Sequence, residues 1–114
     1  MKQTWDTGED RARARLVMHI VAAALNVSVE QVQGDTRMQP EMAARSIAYY
    51  ITRTAFGMSL ARVAAAFGRD RSTVAHACAR LEERREDARF DRWMEALEDA
   101  CISAPAPVAQ ERAA

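Results

Sequence analysis

Two short amphipathic segments separated by one glycine constrain the fold of this 114-residue chain more than any other feature. In the first segment, apolar residues recur at the spacing of one helix face, at Leu60, Val63, Ala64 and Phe67. Ser59 precedes them as a typical N-cap, and Gly68 ends the pattern. A second apolar stripe follows at Val74, Cys78 and Leu81. The sequence therefore predicts two adjoining helices packed on each other across a tight, glycine-containing turn, which is a helix-turn-helix unit.

The other periodic segments are also helical. Helical spacing, caps and breakers predict four further helices, over about residues 9–25, 28–33, 40–56 and 90–101. Strict alternation of apolar and polar residues never extends beyond a few positions, and the abundant alanines suit closely packed helices. We therefore expect an all-α domain of about six helices that contains the helix-turn-helix.

The chain length allows one domain with one core. We expect a flexible N-terminal arm over residues 1–8, the helical domain over 9–102, and a disordered tail over 103–114, where Pro105 and Pro107 lie. No apolar run has the form of a signal peptide or the length of a membrane span. These features favour a cytoplasmic protein that does not contact a membrane.

The formal net charge of zero hides a gradient along the chain. Between residues 37 and 74 six arginines face two acids, a balance of +4, whereas between 75 and 101 five arginines face eight acids, a balance of −3. The neutral total argues against general coating of polyanions, but the basic segment surrounds the helix-turn-helix.

Polar side chains crowd the start of the second helix of this unit, at Arg69, Asp70, Arg71, Ser72 and Thr73. In such units this end of the helix enters the major groove of DNA. Arginine can bind guanine O6 and N7 together, an acid can accept from cytosine N4, and hydroxyls suit phosphates or bases. The alternative is that Asp70 and Ser72 only cap the helix while the arginines are only solvated. The residue pattern leaves both interpretations open.

Catalytic and metal-binding patterns are missing from the sequence. The two cysteines, Cys78 and Cys101, lie 23 positions apart without a CxxC pair, and Cys78 is expected to be a small buried apolar residue. No paired base and nucleophile and no G-x-x-x-x-G-K-[ST] loop occurs. We therefore expect a binding protein that is not an enzyme, with no cofactor, no metal and no bound nucleotide.

A family resemblance favours the DNA-binding interpretation. Residues 45–87 include R-S-I-A-Y-Y-I-T-R, S-L-A-R-V-A and F-G-R-D-R-S-T-V-A-H-A. This order resembles the C-terminal DNA-binding domain (domain IV) of the bacterial replication initiator DnaA, whose pattern is R-Q-I-A-M-Y-L, S-L-x-x-I-G and F-G-G-R-D-H-T-T-V-x-H-A. The resemblance spans about residues 11–88 and implies a Trp-repressor-like helical fold that binds double-stranded DNA.

The resemblance implies roles for single positions. Asp70 matches a base-reading Asp, Arg71 stands where the family has a base-reading His, and Ser72 matches the first Thr of the motif. Thr73 matches a Thr that contacts phosphate and groove, and Arg37 aligns with a loop arginine that enters the minor groove.

Further basic residues complete the candidate DNA-binding set. Arg53 and Arg80 match family positions near the DNA backbone, Arg69 is expected at the backbone, and Arg62 lies in the same basic segment. Arg45 matches the arginine of R-Q, although a helix-start arginine can equally pair with Glu41. With five or six phosphates neutralised, affinity is expected to fall roughly 10³-fold between 50 and 200 mM salt.

The chain also departs from the family pattern. One glycine replaces two before Arg69, and Asp35 and Gln39 stand where the family loop is basic, which predicts weaker attraction of phosphates. Arg71 replaces histidine, so the usual DnaA box is not assumed as the target. His76 matches the family's H-A and is expected to be packed and hydrogen-bonded, with a base contact as the alternative. Only some ten residues precede the resemblance and no ATPase motif occurs, so we expect a protein that is not itself an initiator.

Three functions follow as hypotheses. The first is a transcription activator similar to the free-standing DnaA-like domains that act on gene-transfer-agent or prophage-like genes, with a sigma-like protein, RNA polymerase or a DNA-bending protein as partner. The second is a replication modulator that competes for DnaA boxes. The third is a protein-interaction module that has lost DNA binding. In all three, the helix around Phe90, Trp93, Met94 and Leu97 either covers the core or docks a partner.

Overall fold

The computed structural model describes residues 6–107 and contains, within that range, six α-helices and no strand. The helices are α1 (Thr7–Leu25), α2 (Val29–Gln33), α3 (Glu41–Phe56), α4 (Leu60–Phe67), α5 (Arg71–Arg84) and α6 (Ala88–Ser103). The expected all-α class and the number of helices are confirmed.

Local signals in the sequence explain most of the helix ends. The Ser28 and Ser59 hydroxyls accept hydrogen bonds from the backbone N–H groups of Gln31 and Arg62, at 3.0 and 3.2 Å. Asn26 ends α1 in the left-handed conformation with φ 56°. Pro40, expected inside the first turn of α3, instead occupies the N-cap position just before it.

The terminal helices are longer than the sequence pattern predicts. α1 begins at Thr7, two residues before the expected start, because the Asp6 carboxylate accepts from the N–H groups of Gly8 and Glu9 at 2.9 and 3.1 Å. Likewise α6 includes Ser103, the first residue of the expected tail. The remainder of the predicted arm, residues 1–5, and the tail segment 108–114 lie outside the described residues.

Helix α3 is the centre of the molecule. It contacts all five other helices, so its buried residues touch most parts of the core. Several of the core side chains are almost fully buried, among them Val17, Val21, Tyr50, Ile51, Val63, Val74 and Met94. No helix in residues 6–107 is both long and apolar enough to span a membrane.

The turn between α4 and α5 fixes the angle of the second helix of the pair. Gly68 adopts a left-handed conformation with φ 64°, where a residue with a Cβ is strained. Its N–H and that of Arg69 donate to the carbonyls of Ala65 and Ala64, at 3.2 and 2.9 Å. Val74 then enters the core, which orients the opposite face of α5 outward.

Helix α6 covers the core and is held by ion pairs. Met94, Leu97 and Cys101 are buried, so core packing accounts for these positions of the helix. Arg85 donates to Glu98 at 2.8 and 3.1 Å and to Asp91 at 2.5 Å. These bonds connect the end of α5 to α6 through charge-assisted contacts.

Candidate nucleic-acid interface

The first turn of α5 is polar and exposed. Arg71, Ser72 and Thr73 all lie on the surface, whereas Val74 is fully buried. Asp70 occupies the N-cap position with an extended backbone, but its carboxylate makes no capping hydrogen bond. The alternative that Asp70 is only a cap therefore lacks its expected bond, and the carboxylate is exposed at the helix start.

A groove runs beside this turn, between the α2–α3 loop, α3 and α5. Its volume is about 790 Å³, and it brings together six of the ten predicted DNA-binding residues, namely Arg37, Arg45, Arg69, Asp70, Thr73 and Arg80. A second groove of about 750 Å³ shares Arg37 and Arg80 and continues along α5 to Arg84. The loop and the helix thus present basic side chains on one continuous concave surface, which we call the basic groove.

Two residues of that groove are exposed arginines on different elements. Arg37 lies in the α2–α3 loop beside the exposed Met38, and Arg80 lies on α5, two turns after Thr73. Within residues 6–107 neither guanidinium forms an ion pair. Both are therefore available for a polyanion along the groove.

Arg69 is engaged within the protein. One guanidinium nitrogen donates to the Asp35 carboxylate at 2.6 Å, and the other donates to the carbonyls of Gln33 and Gly34 at 3.0 and 2.8 Å. The side chain of Asp35 is 92% exposed, while that of Arg69 is 24% exposed. The Asp35 carboxylate of the α2–α3 loop thus forms an ion pair with Arg69 in the turn of the helix-turn-helix.

Arg45 also binds the end of α2. Its Nε donates to the Val32 carbonyl at 2.8 Å, and a second nitrogen donates to the Gln31 carbonyl at 3.4 Å. The alternative left open by the sequence, pairing with Glu41, is thus not the contact that Arg45 makes. Cations stabilise the partial negative charge of a helix C-terminus, so Arg45 has a structural role besides its place in the groove.

Arg62 and Arg53 do not line the basic groove. Arg62 forms a two-point ion pair with the buried Asp10, at 3.0 and 2.8 Å. Arg53 is half-buried in the last turn of α3 and donates to the Met58 carbonyl at 3.5 Å. Their inclusion in the DNA-binding set stays a prediction from the sequence, and the structure supplies an internal partner for each.

The expected packing of His76 is wrong. The side chain is exposed on α5, because residues 72, 76 and 80 recur at four-residue spacing on the face opposite the buried Val74 and Cys78. Arg84 extends the same spacing and stacks its guanidinium on the Phe90 ring at 4.0 Å. The four-residue spacing was visible in the sequence and could have identified both residues.

Basic residues of α1 lie next to this surface and were not predicted as site residues. Arg11 and Arg15 are exposed and line a smaller groove of about 270 Å³ together with Arg45 and Arg69. Their four-residue spacing places them on one side of α1. Only the folded chain reveals that this side adjoins the end of α2.

The buried Tyr49 beside the interface has a raised pKa. Burial raises the pKa of Tyr49, and the neighbouring arginines, Arg69 first, partly oppose that shift. The Tyr49 ring packs edge-on against Phe67 with centroids 5.0 Å apart. This tyrosine therefore remains neutral, and its buried ring packs at the base of the groove.

These features define an all-α helix-turn-helix protein with a polar recognition helix and an adjoining basic groove. The bacterial DnaA protein helix-turn-helix family matches residues 14–81, which is more than half of the chain. The chain belongs to that family.

Individual relatives agree with this assignment. The chain is 33% identical over 70 residues to chromosomal replication initiator protein DnaA 2 of Chlamydia trachomatis, and 34% identical over 73 residues to the initiator DnaA of Crocosphaera subtropica. These matches cover 61% and 63% of this chain but only 15% and 16% of the relatives. The chain thus spans about one sixth of the length of the curated relatives it matches.

Solved structures show the same fold. A crystal structure of a DNA replication initiation factor superposes with a TM-score of 0.75 at 32% identity, covering 82% of this chain and 29% of that one. A replication initiator DnaA bound to AMPPCP and single-stranded DNA gives a TM-score of 0.71 at 31% identity, covering 82% and 28%. The expected DnaA domain IV-like fold is confirmed.

Proposed function

We propose that this chain is a sequence-specific double-stranded DNA-binding regulator of transcription. The observation that carries the proposal is the exposed first turn of α5, from Asp70 to Thr73, beside a groove that also holds Arg37. The major groove of B-DNA is wide enough for one α-helix, so α5 fits there with its first turn at the base edges. The function is recognition, and no catalytic step is assigned to the chain.

Each polar residue of this turn has a proposed role. Asp70 accepts from cytosine N4, Arg71 binds guanine O6 and N7, and Ser72 contacts a neighbouring base. Thr73 and the first backbone N–H groups of α5 bind phosphate, where the helix dipole favours an anion. Arg80 neutralises a phosphate further along the groove.

Arg37 is proposed to read the minor groove. It is exposed on a loop that lies across the groove from α5, so a duplex held by α5 brings its neighbouring minor groove to this loop. Arginine inserted there distinguishes mainly A·T-rich from G·C-rich steps and their width.

The regulatory role is proposed to be activation of gene-transfer-agent or prophage-like genes in the cytoplasm, at the nucleoid. Glu95 and Asp99 are exposed on α6, whereas Glu98 is bound by Arg85. Arg89 and Arg92 are exposed on the same helix, so its surface carries both signs of charge, and a sigma-like protein, RNA polymerase or a DNA-bending protein is proposed as the partner from the family resemblance.

A replication modulator is the second candidate, favoured by the names of the relatives, which are replication initiators. Chromatin immunoprecipitation with sequencing separates the two functions. Peaks at promoters support the regulator, whereas peaks confined to the replication origin support competition for DnaA boxes.

A third candidate, an interaction module without DNA binding, is tested in vitro. A mobility shift at low salt with a pool of random duplexes is expected to show binding. Absence of any shift would contradict the proposed function and favour the interaction module.

A further inference from the structure

Arg69 connects the helix-turn-helix turn to the α2–α3 loop. It immediately precedes Asp70, yet its guanidinium lies against the end of α2, bound to two carbonyls and to Asp35. All three bonds are 3.0 Å or shorter, and three-quarters of the side chain is buried. The charge of Arg69 is therefore used inside the protein.

Arg45 extends the same contact from α3. Between them, the two arginines bind four consecutive carbonyls, from Gln31 to Gly34. The carbonyls at a helix C-terminus have few backbone partners, although that of Gln31 also accepts from the Gly34 N–H at 3.3 Å, and they carry the negative end of the helix dipole. We call this arrangement the two-arginine clamp.

The clamp lies just before the segment that carries Arg37. Residues 35–39 are mostly exposed, and within them the Thr36 hydroxyl accepts from the Met38 N–H at 3.1 Å. The neighbouring Met38 is 70% exposed, so little apolar packing holds this segment. Its position relative to α5 therefore depends on its anchored ends, and Gly34 is the end that Arg69 binds.

We propose that Arg69 is a positioning residue for Arg37. By anchoring Gly34 and Asp35 to the residue next to Asp70, it fixes the spacing between the minor-groove arginine and the first turn of α5. Arg37 and the first turn of α5 can then bind adjoining grooves of one duplex at the same time. This inference rests on the proposed function, because it takes double-stranded DNA as the ligand.

The proposal separates Arg69 from the phosphate contact that the sequence predicts for it. A phosphate contact weakens binding to every duplex alike and contributes about one unit to the salt slope. A positioning residue acts through Arg37, so its removal reduces sequence discrimination and adds almost nothing once Arg37 itself is absent. The two roles therefore differ in two measurable quantities: the loss of affinity on selected against scrambled duplexes, and the additivity with Arg37→Ala.

The binding experiment is a double-mutant cycle with the intact chain. Wild type, Arg69→Gln, Arg37→Ala and the double variant are titrated against a duplex selected by the wild-type chain from a random pool, and against a scrambled duplex. Arg69→Gln is expected to weaken the selected duplex about tenfold and the scrambled duplex less than about twofold. In the Arg37→Ala background it is expected to add almost nothing.

Arg80→Gln is the matched control. Arg80 lines the same groove, is exposed and forms no ion pair within residues 6–107. It is expected to lose affinity equally on both duplexes and to reduce the salt slope by about one. If Arg69→Gln behaves like Arg80→Gln, or adds fully to Arg37→Ala, the positioning role is overturned.

A measurement without DNA keeps this result separate from the proposed function. Amide hydrogen exchange at residues 34–38 is compared between wild type and Arg69→Gln, with the melting temperature recorded for both. Faster exchange confined to these amides supports the clamp, and unchanged exchange contradicts it. If the loop loosens but no duplex is ever selected, the proposed function fails and the positioning of Arg37 for DNA fails with it.

Discussion

Arg62 and Asp10, 52 positions apart, form a two-point ion pair that joins the start of α4 to α1. The side chain of Asp10 is 4% exposed, whereas that of Arg62 is 26% exposed. The pair is therefore asymmetric, since only the arginine can turn into water when its partner is lost. The pair thus connects the helix-turn-helix to α1, in addition to the packing of α4 and α5 on α3.

This asymmetry predicts unequal costs for the two alanine variants. Arg62→Ala leaves a buried carboxylate unpaired and is expected to lower the free energy of unfolding by about 3 kcal/mol. Asp10→Ala leaves an arginine that can be solvated and is expected to cost about 1 kcal/mol. Urea denaturation of both variants measures the difference, and equal costs would contradict the inferred asymmetry.

Arg71→Ala tests the assignment of base reading to the first turn of α5. Loss of a bidentate guanine contact is expected to cost about 1–3 kcal/mol of binding free energy and to relax preference at one base pair. The Arg71 side chain is exposed, so folding should be unaffected. Titration against duplexes varied one position at a time is the measurement, and an equal loss on selected and scrambled duplexes would refute base reading.

The internal partners of several arginines lower the expected salt dependence. Arg45, Arg62 and Arg69 bind groups of the protein, which leaves Arg37, Arg71, Arg80 and Arg84 as the exposed arginines of the interface. Each of these four cations is expected to displace about one counterion, whether it lies at a phosphate or in a groove. The slope of log K against log salt is then about −3.6, and affinity falls on the order of 10²-fold between 50 and 200 mM.

Anisotropy titrations across this range measure the slope. A slope steeper than about −5 would show that more cations reach the DNA than the four exposed arginines supply. In that case the neighbouring Arg11 and Arg15 of α1 become the first candidates for further phosphate contacts.

The two cysteines are expected to be unreactive in the folded protein. Burial is the main cause that raises the pKa of Cys78, and burial with the nearby Glu98 raises the pKa of Cys101 to about 11. Because the thiolate is the reactive form, alkylation at pH 8 should be slow in the native state and complete after denaturation. Mass spectrometry after iodoacetamide treatment checks this.

The same shifts give stability a defined pH dependence. A thiol with a raised pKa in the folded state keeps its proton where the unfolded chain has lost it, so the folded state binds more protons. Stability is then complete below the ordinary thiol pKa and falls as pH rises from about 9 toward 11. A Cys101→Ser variant that kept the full alkaline loss would assign the effect to other groups.

The sequence predicted the helix-turn-helix well because its signals are local. Ser59, the apolar spacing from Leu60 to Phe67, and Gly68 lie within ten residues, and each acts on its own neighbourhood. The partners of Arg62 and Arg69 lie 52 and 34 positions away, so no local pattern reveals them. The prediction from the sequence therefore included these arginines among the DNA contacts, although their guanidinium groups are bound within the protein.

Base analogues in the selected duplex test the central claim, that α5 reads the major groove while Arg37 reads the minor groove. An inosine·cytosine pair in place of A·T keeps the minor-groove pattern and changes the major-groove pattern. At the Arg37 step this exchange is expected to change binding less than about twofold. At the G·C pairs that Asp70 and Arg71 read, inosine in place of guanine keeps O6 and N7 and is expected to change binding less than about twofold, whereas A·T in place of G·C is expected to weaken it about tenfold. A tenfold loss caused by inosine·cytosine at either step, or no discrimination among duplexes at all, would contradict this account.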